Sequence, residues 1–302
     1  MRILAIDGGG IRGIIPAMVL AELERRARRP AHTLFDLVAG TSTGGVIACA
    51  LARPDPQPAA ELVELYRTEG PRIFSRSLAR RVTSAEGFLD EKYDDAALND
   101  ALGRYLGDTA LRDARTRVLV TAYDLHGREP FEFRSWRSGA DVSMAVAARA
   151  TSAAPTYFEP VLFQGRSLVD GGVYAINPAL RAYGEALRLR PSEPPGEHVV
   201  VSLGTGKQTR RIEHDDARDW GQLEWARPLL GVVFDGVTDA VESTIETIVG
   251  ERHHRFQVEL TRASDDLDDA TPENLARLQD HARALLERSS DRLDAALRAL
   301  AG

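Results

Sequence analysis

The stretch Leu37-Val38-Ala39-Gly40-Thr41-Ser42-Thr43-Gly44-Gly45-Val46-Ile47-Ala48-Cys49-Ala50-Leu51-Ala52 decides how this chain is read. One apolar run enters the pentapeptide Gly40-Thr41-Ser42-Thr43-Gly44, and another, of helical character, leaves it. Strand, sharp turn and helix is the context that a G-x-S-x-G nucleophile elbow requires. The flanking glycines suit a turn where backbones crowd and a Cβ would clash. Ser42 then stands at the tip, its hydroxyl exposed at the carboxyl end of a sheet. Five positions with three fixed recur by chance, so the pentapeptide takes its meaning from its surroundings.

Upstream, Asp7-Gly8-Gly9-Gly10-Ile11-Arg12-Gly13 follows the strand-like Ile3-Leu4-Ala5-Ile6 and precedes a helix-like segment from Ile14 to Arg29. A glycine loop in that position turns backbone N–H groups toward one point, with a helix N-terminus behind them. Such a nest can stabilise the oxyanion of an acyl-transfer transition state. Downstream, Asp170-Gly171-Gly172 follows the short apolar Ser167-Leu168-Val169 and places a carboxylate at another strand end. An aspartate within hydrogen-bond reach of the serine can activate its hydroxyl without a histidine.

These blocks together resemble the patatin-like phospholipases, lipid acyl hydrolases with a Ser–Asp dyad on an α/β fold. The family's oxyanion motif stands here as Asp7 to Gly13, its nucleophile motif as Gly40 to Gly44, and its catalytic aspartate as Asp170. Ala150-Thr151-Ser152-Ala153-Ala154-Pro155-Thr156-Tyr157-Phe158 looks like the third block, and Ser202-Leu203-Gly204-Thr205-Gly206 also fits. The blocks occur in order over about residues 1–210. One departure is visible: Ile176-Asn177-Pro178 stands where the family often has two asparagines before proline. The resemblance implies Ser42 as nucleophile, Asp170 as base, and an oxyanion hole formed by the N–H groups of Gly9, Gly10 and Thr43. Gly8, Arg12, Gly13, Gly40, Gly44, Gly171 and Gly172 would support them, Arg12 by steadying the loop or meeting an acidic head group. It implies a phospholipase A-type carboxylester hydrolysis through an acyl-enzyme, and a membrane or micellar lipid as substrate.

Other readings of the same residues stay open. Gly8-Gly9-Gly10-Ile11-Arg12-Gly13 formally matches the dinucleotide fingerprint G-x-G-x-x-G, which would make the chain an oxidoreductase. That site wants an acidic residue at the end of the second strand, yet Asp36 lies at its beginning. An esterase acting on glycolipid, neutral or small esters would use the same dyad. A regulated lipid-binding effector with latent activity would keep the fold. Of the seven histidines, only His214 offers an alternative base, because His198 opens a strand at the wrong end. No histidine, cysteine and carboxylate cluster has metal-ligand spacing, so neither metal nor cofactor is expected.

Composition narrows the partners. With 302 residues, 43% hydrophobic and 27% charged, the chain is ordinary for a folded domain. A net charge of −7 gives no electrostatic case for nucleic acid. The cluster Arg25-Arg26-Ala27-Arg28-Arg29 reads as solvated helix surface. The single cysteine, Cys49, precludes an internal disulfide and reads as a buried filler. Met1-Arg2-Ile3-Leu4 runs straight into the glycine loop without an apolar leader. The expectation is a cytoplasmic protein, peripheral at a membrane when its substrate is there.

Along the chain, residues 1–52 read β-α-β-α, and the whole predicts a three-layer α/β/α fold with a mostly parallel sheet. A patatin-like core over 1–210 is expected, with 71–115 as a lid or cover, or as helices packed on the sheet edge. The part from 211 to 302 reads as mainly helical and packed on the same domain. Arg117 to Tyr123 is a strand, Pro130 to Trp136 its antiparallel partner, and a hairpin through Gln164-Gly165 delivers Asp170. Trp220 to Gly250 is a long helical region whose apolar stripe reads as a core face, with Gly231 and Gly236 as breaks. Phe256 to Leu260 alternates like a late edge strand. Thr271 caps a terminal helix that runs to Leu300.

Overall fold

Each central strand sends alternate side chains into two different apolar clusters. Leu4, Ile6, Val38, Val118, Val120, Val201 and Leu203 face one, while Ile3, Ala5, Leu37, Ala39, Leu119 and Val200 face the other. A sheet buried on both faces needs a helical layer on each, which makes the fold a three-layer α/β/α sandwich. The computed structural model describes residues 1–75, 93–207, 211–221, 224–225 and 228–301.

The strands are β1 (Arg2–Ile6), β2 (Leu37–Gly40), β3 (Arg117–Asp124), β4 (Glu129–Arg134), β5 (Val161–Phe163), β6 (Arg166–Asp170), β7 (Val199–Leu203) and β8 (His253–Phe256). They form one sheet in the order β5-β6-β3-β2-β1-β7-β8, with β4 paired to β3. From β3 to β8 every pairing is parallel. The antiparallel pairings β3–β4, β3–β6 and β5–β6 are confined to the other end.

The main helices are α1 (Ile14–Ala27), α2 (Thr43–Ala52), α3 (Ala59–Ile73), α4 (Asp95–Leu106), α5 (Met144–Thr151), α6 (Ala179–Leu189), α7 (Leu229–Val249), α8 (Pro272–Arg288) and α9 (Ser290–Ala301). Leu20 and Leu23 of α1 share the larger cluster with Leu275, Leu278 and Leu285 of α8 and Leu293 of α9. The smaller cluster takes Ala182, Tyr183 and Ala186 of α6 together with Ile245 and Val249 of α7.

Three elements depart from the sequence reading. The late strand is His253–Phe256, not Phe256–Leu260, because Phe256 ends the parallel ladder by pairing with Leu203. The terminal helix breaks at Ser289 into α8 and α9, although its start is as expected: Thr271 accepts from the Asn274 N–H at 3.3 Å. In α7, Gly231 and Gly236 lie inside an unbroken helix of 21 residues. Its apolar stripe is a core face only at its C-terminal end, where Ile245 and Val249 are buried, while Leu229, Val232 and Val233 are exposed.

Leu278 is fully buried and ties α8 into the cluster that covers the sheet. Leu278→Ala is expected to cost about 2–5 kcal/mol, the usual range for a truncated core leucine. Urea unfolding followed by circular dichroism should lose that stability in one transition, and a separate early phase would show that the C-terminal helices fold apart from the sheet.

Candidate active site

Strand register brings the site together. Along one edge of β3, β2 pairs with residues 117–120 and β6 pairs with residues 122–124, while β4 takes the opposite edge. The carboxyl ends of β2 and β6 therefore meet head to head, Gly40 opposite Val120 and Asp170 opposite Ala122. Thr121 lies at the junction. The Thr41 hydroxyl donates to the Ala175 carbonyl at 2.6 Å, so in the 2.7 Å contact between the two hydroxyls Thr121 is the donor.

Ser42 sits on the turn between β2 and α2 at φ 55, ψ −125, a strained conformation for a residue with a Cβ. Its backbone N–H is held by the Thr151 hydroxyl at 2.7 Å, and its side chain hydrogen-bonds the carboxylate of Asp170. Asp170 also accepts the Gly172 N–H at 2.7 Å. Burial pushes the Asp170 carboxyl up to about 7, against the lowering effect of those two hydrogen bonds. The sequence places the carboxylate but not this shift, which depends on the walls around it.

In the glycine loop, backbone donors divide into two sets. Gly8 N–H is taken by the Ile176 carbonyl at 2.9 Å, and Ile11 N–H by the Leu267 carbonyl at 2.8 Å. The N–H groups of Gly9, Gly10 and Thr43 meet no protein acceptor among the described residues, and all three residues line the cleft that holds Ser42. Gly10 has φ 56, and a Cβ there would collide with the Leu267 carbonyl. Thr205 donates to the Gly8 carbonyl at 2.7 Å, fixing the loop from β7. Thr43 in turn shares a short hydroxyl–hydroxyl hydrogen bond with Tyr66 of α3. Gly13 lies under that pair, and Gly40 and Gly44 pack backbone to backbone.

Arg12 points away from the cleft. It is buried, its Nε donates to the Gly9 carbonyl at 3.4 Å, and burial lowers its pKa, opposed by Asp235 and Asp265. It lines a second, polar cavity with Asp7, Gly8, Lys207, Asp239 and Arg255. There Asp7, pushed up to about 6 by burial, is held by Arg255 at 2.6 Å. The departure at Ile176-Asn177-Pro178 leaves the dyad intact. Ile176 packs on Gly8 and Gly172, and Asn177 caps α6 through Ala179 N–H at 2.9 Å and bonds Glu242.

No histidine lines the cleft among the described residues, and His214 is exposed on a short helical turn. Asp36 is tied to Arg2 at the amino end of β2, so the acidic partner of a dinucleotide site is missing from the end where the glycine loop lies. Around the dyad the cleft is apolar, about 1050 Å³ of space partly open to solvent. Tyr66, Ile73, Phe74, Leu102, Phe158 and Phe234 are among its walls. Of the segment 71–115 expected as a lid or cover, or as helices packed on the sheet edge, residues 76–92 lie outside the described residues, and Ile73, Phe74, Leu98 and Tyr105 line the cleft. Sequence reading missed Tyr66, Thr121, Leu267 and Arg255. None belongs to a motif, and only the fold brings them to the site.

Residues 4–183 match the model of the patatin-like phospholipase family. The chain is 31% identical to Patatin-like protein 2 of Arabidopsis thaliana, over 97% of this chain and 84% of that one. It is 29% identical to "Probable inactive patatin-3-Kuras 1" of Solanum tuberosum, over 96% and 87% respectively, so likeness alone does not carry activity. Among solved structures it resembles the type III effector ExoU with TM-score 0.46 and 15% identity, covering 98% of this chain and 53% of that one. A likeness that distant adds nothing to the assignment, which rests on the other two comparisons. By the family match and the relatives that span nearly its whole length, the chain belongs to the patatin-like phospholipase family.

Proposed function

We propose that this protein hydrolyses carboxylic esters of lipids, in the manner of a phospholipase A, through Ser42, Asp170 and an acyl-enzyme. One observation carries the reading: a strained, cleft-facing serine hydrogen-bonds a buried carboxylate whose pKa burial raises. In the first half-reaction Ser42 Oγ attacks the ester carbonyl carbon and Asp170 takes its proton. The N–H groups of Gly9, Gly10 and Thr43 stabilise the oxyanion. Collapse expels the lysolipid or alcohol, which recovers the proton from Asp170. Water then attacks the acyl-enzyme by the same route, releasing the fatty acid and restoring Ser42. The apolar walls suit an acyl chain, and membership of a phospholipase family supports a lipid substrate. Arg12 supports the loop from behind.

Fatty-acid release from mixed phospholipid–detergent micelles tests the reading. Intact protein should release fatty acid, and Ser42→Ala or Asp170→Asn should reduce release to background with the circular dichroism spectrum unchanged. Near-normal activity in Asp170→Asn would refute the dyad. Cleavage of a short-chain ester alone would keep the dyad and favour a small-ester substrate.

The base must be ionised, and its carboxyl is raised to about 7. Activity should therefore climb with pH and reach half its plateau near neutrality, well above the range of an ordinary aspartate. The same shift acts on stability in the opposite sense. The folded state binds Asp170's proton more tightly than the unfolded chain, so this group's contribution is lost as pH rises through about 7. Asp170→Asn should thus raise the melting temperature at pH 8 more than at pH 5. An acid limb centred near pH 4, with no pH-dependent gain in stability, would contradict the buried-base account.

Tyr66→Phe removes the hydroxyl that fixes Thr43. A lost hydrogen bond of about 1 kcal/mol should lower kcat about five- to tenfold with KM little changed. A change in KM alone would mean that Tyr66 acts only as cleft wall.

A further inference from the structure

The first six residues of α7, Leu229 to Phe234, carry no polar side chain. Leu230 and Phe234 face inward and line the cleft with Ser42 and Asp170, while Leu229, Val232 and Val233 face solvent at 49%, 44% and 37% exposure. A helix that is hydrophobic on every side is ordinarily buried. Beyond this face the exposed positions Gly236, Ala240, Ser243, Thr244 and Thr247 are small and uncharged, with Asp239, Glu246 and Ile248 exposed among them. Trp225, also exposed, precedes the helix and stacks edge-on against Trp220 at 5.2 Å. Tryptophan suits a boundary where one side is apolar and the other wet.

We propose that the outer face of α7, with Leu229, Val232 and Val233 at its centre, is the surface on which the protein docks onto a zwitterionic lipid layer. This rests on the lipid-ester reading above, and two observations choose the occupant. The face is continuous with the acyl cleft, since the same two turns form the wall of one and the surface of the other. Among the described residues, the charges placed near these turns are mainly acidic: Asp235 and Asp239 on the helix itself, with Asp265 close enough to act on Asp235. Lys207 is paired to Asp239 at 2.8 Å, and Arg12 is buried. An anionic surface would be repelled, whereas a phosphocholine layer, with no net charge, would not. Burial of the three side chains supplies the attraction.

The test uses Ser42→Ala protein, so that binding is read without turnover, and sedimentation with phosphatidylcholine vesicles. The protein should bind these vesicles and bind less well when about a third of the lipid is phosphatidylglycerol. Adding Leu229→Ser and Val233→Ser should weaken partitioning about tenfold or more. In protein that keeps Ser42, the same double substitution should leave cleavage of a soluble, monomeric short-chain ester unchanged. Neither residue lines the cleft, and thermal melts report whether the variant folds. Equal vesicle binding with and without the double substitution would overturn the proposal. So would a preference for the anionic vesicles, or a dimer in light scattering that the substitutions dissolve. If no ester is cleaved by any version while vesicle binding still depends on Leu229 and Val233, the docking face stands and the hydrolase reading falls.

Discussion

Two strands of opposite direction end against each other on one edge of β3, and the rest of the site depends on that junction. A strand edge offers one row of hydrogen-bonding groups, so β2 and β6 can share it only by dividing its length. The division falls at Thr121, between the partners of Gly40 and Asp170. Ser42 and Asp170 lie 128 positions apart in sequence. They meet because each is set at or just past a strand end whose register is fixed by buried side chains. A one-residue slip of either strand would exchange its two faces and separate the pair. The Thr41–Thr121 hydrogen bond sits at this junction and joins it to Ala175, just beyond the aspartate.

The junction also creates an energetic debt. A carboxyl surrounded by β-strand ends and apolar walls is poorly solvated, and its raised pKa measures that cost. Asp7, at the mouth of the glycine loop, is buried likewise, but it has Arg255 as a partner. Among the described residues Asp170 has no cation beside it, only the Ser42 hydroxyl and the Gly172 N–H. The contrast separates the two carboxylates physically: a counter-charge beside Asp170 would stabilise its ionised form and weaken it as a base. The large two-faced core offsets such local strain, together with that of Ser42 at positive φ.

Much of this was legible in the sequence because it is local. The elbow, the glycine loop and the Asp170 turn are each a strand followed by residues able to take a tight turn, and each appears as a short motif. Parallel strands buried on both faces read as apolar runs, which is why Leu37–Ala39 and Val199–Leu203 stand out. What was not legible is long-range. Tyr66, Thr121 and Leu267 are ordinary residues in their own segments and gain a role only through neighbours far along the chain. The misreading of α7 has a different cause. Its apolar residues recur at a helical period whether that face meets a core or something outside the protein, and periodicity reports only the face, not its partner.

The glycine loop shows why the site cannot be assigned to the first part of the chain alone. Residues 4–183 match the family model, yet two restraints on the loop come from beyond them. Thr205 holds the Gly8 carbonyl from the end of β7, and the Leu267 carbonyl takes the Ile11 N–H from the segment before α8. With Gly8 N–H spent on Ile176, these contacts decide which N–H groups stay available, and those left are Gly9 and Gly10. Leu267 further confines position 10 to glycine, because its carbonyl occupies the place a Cβ would need. The motif therefore supplies donors in number, and the later chain selects among them. A glycine-rich loop without that selection would be mobile, and mobile donors must be ordered in the transition state, where they contribute least. On the proposed mechanism, the chain beyond β7 acts on the chemistry through the rigidity of this loop, without contributing a side chain to the proposed dyad.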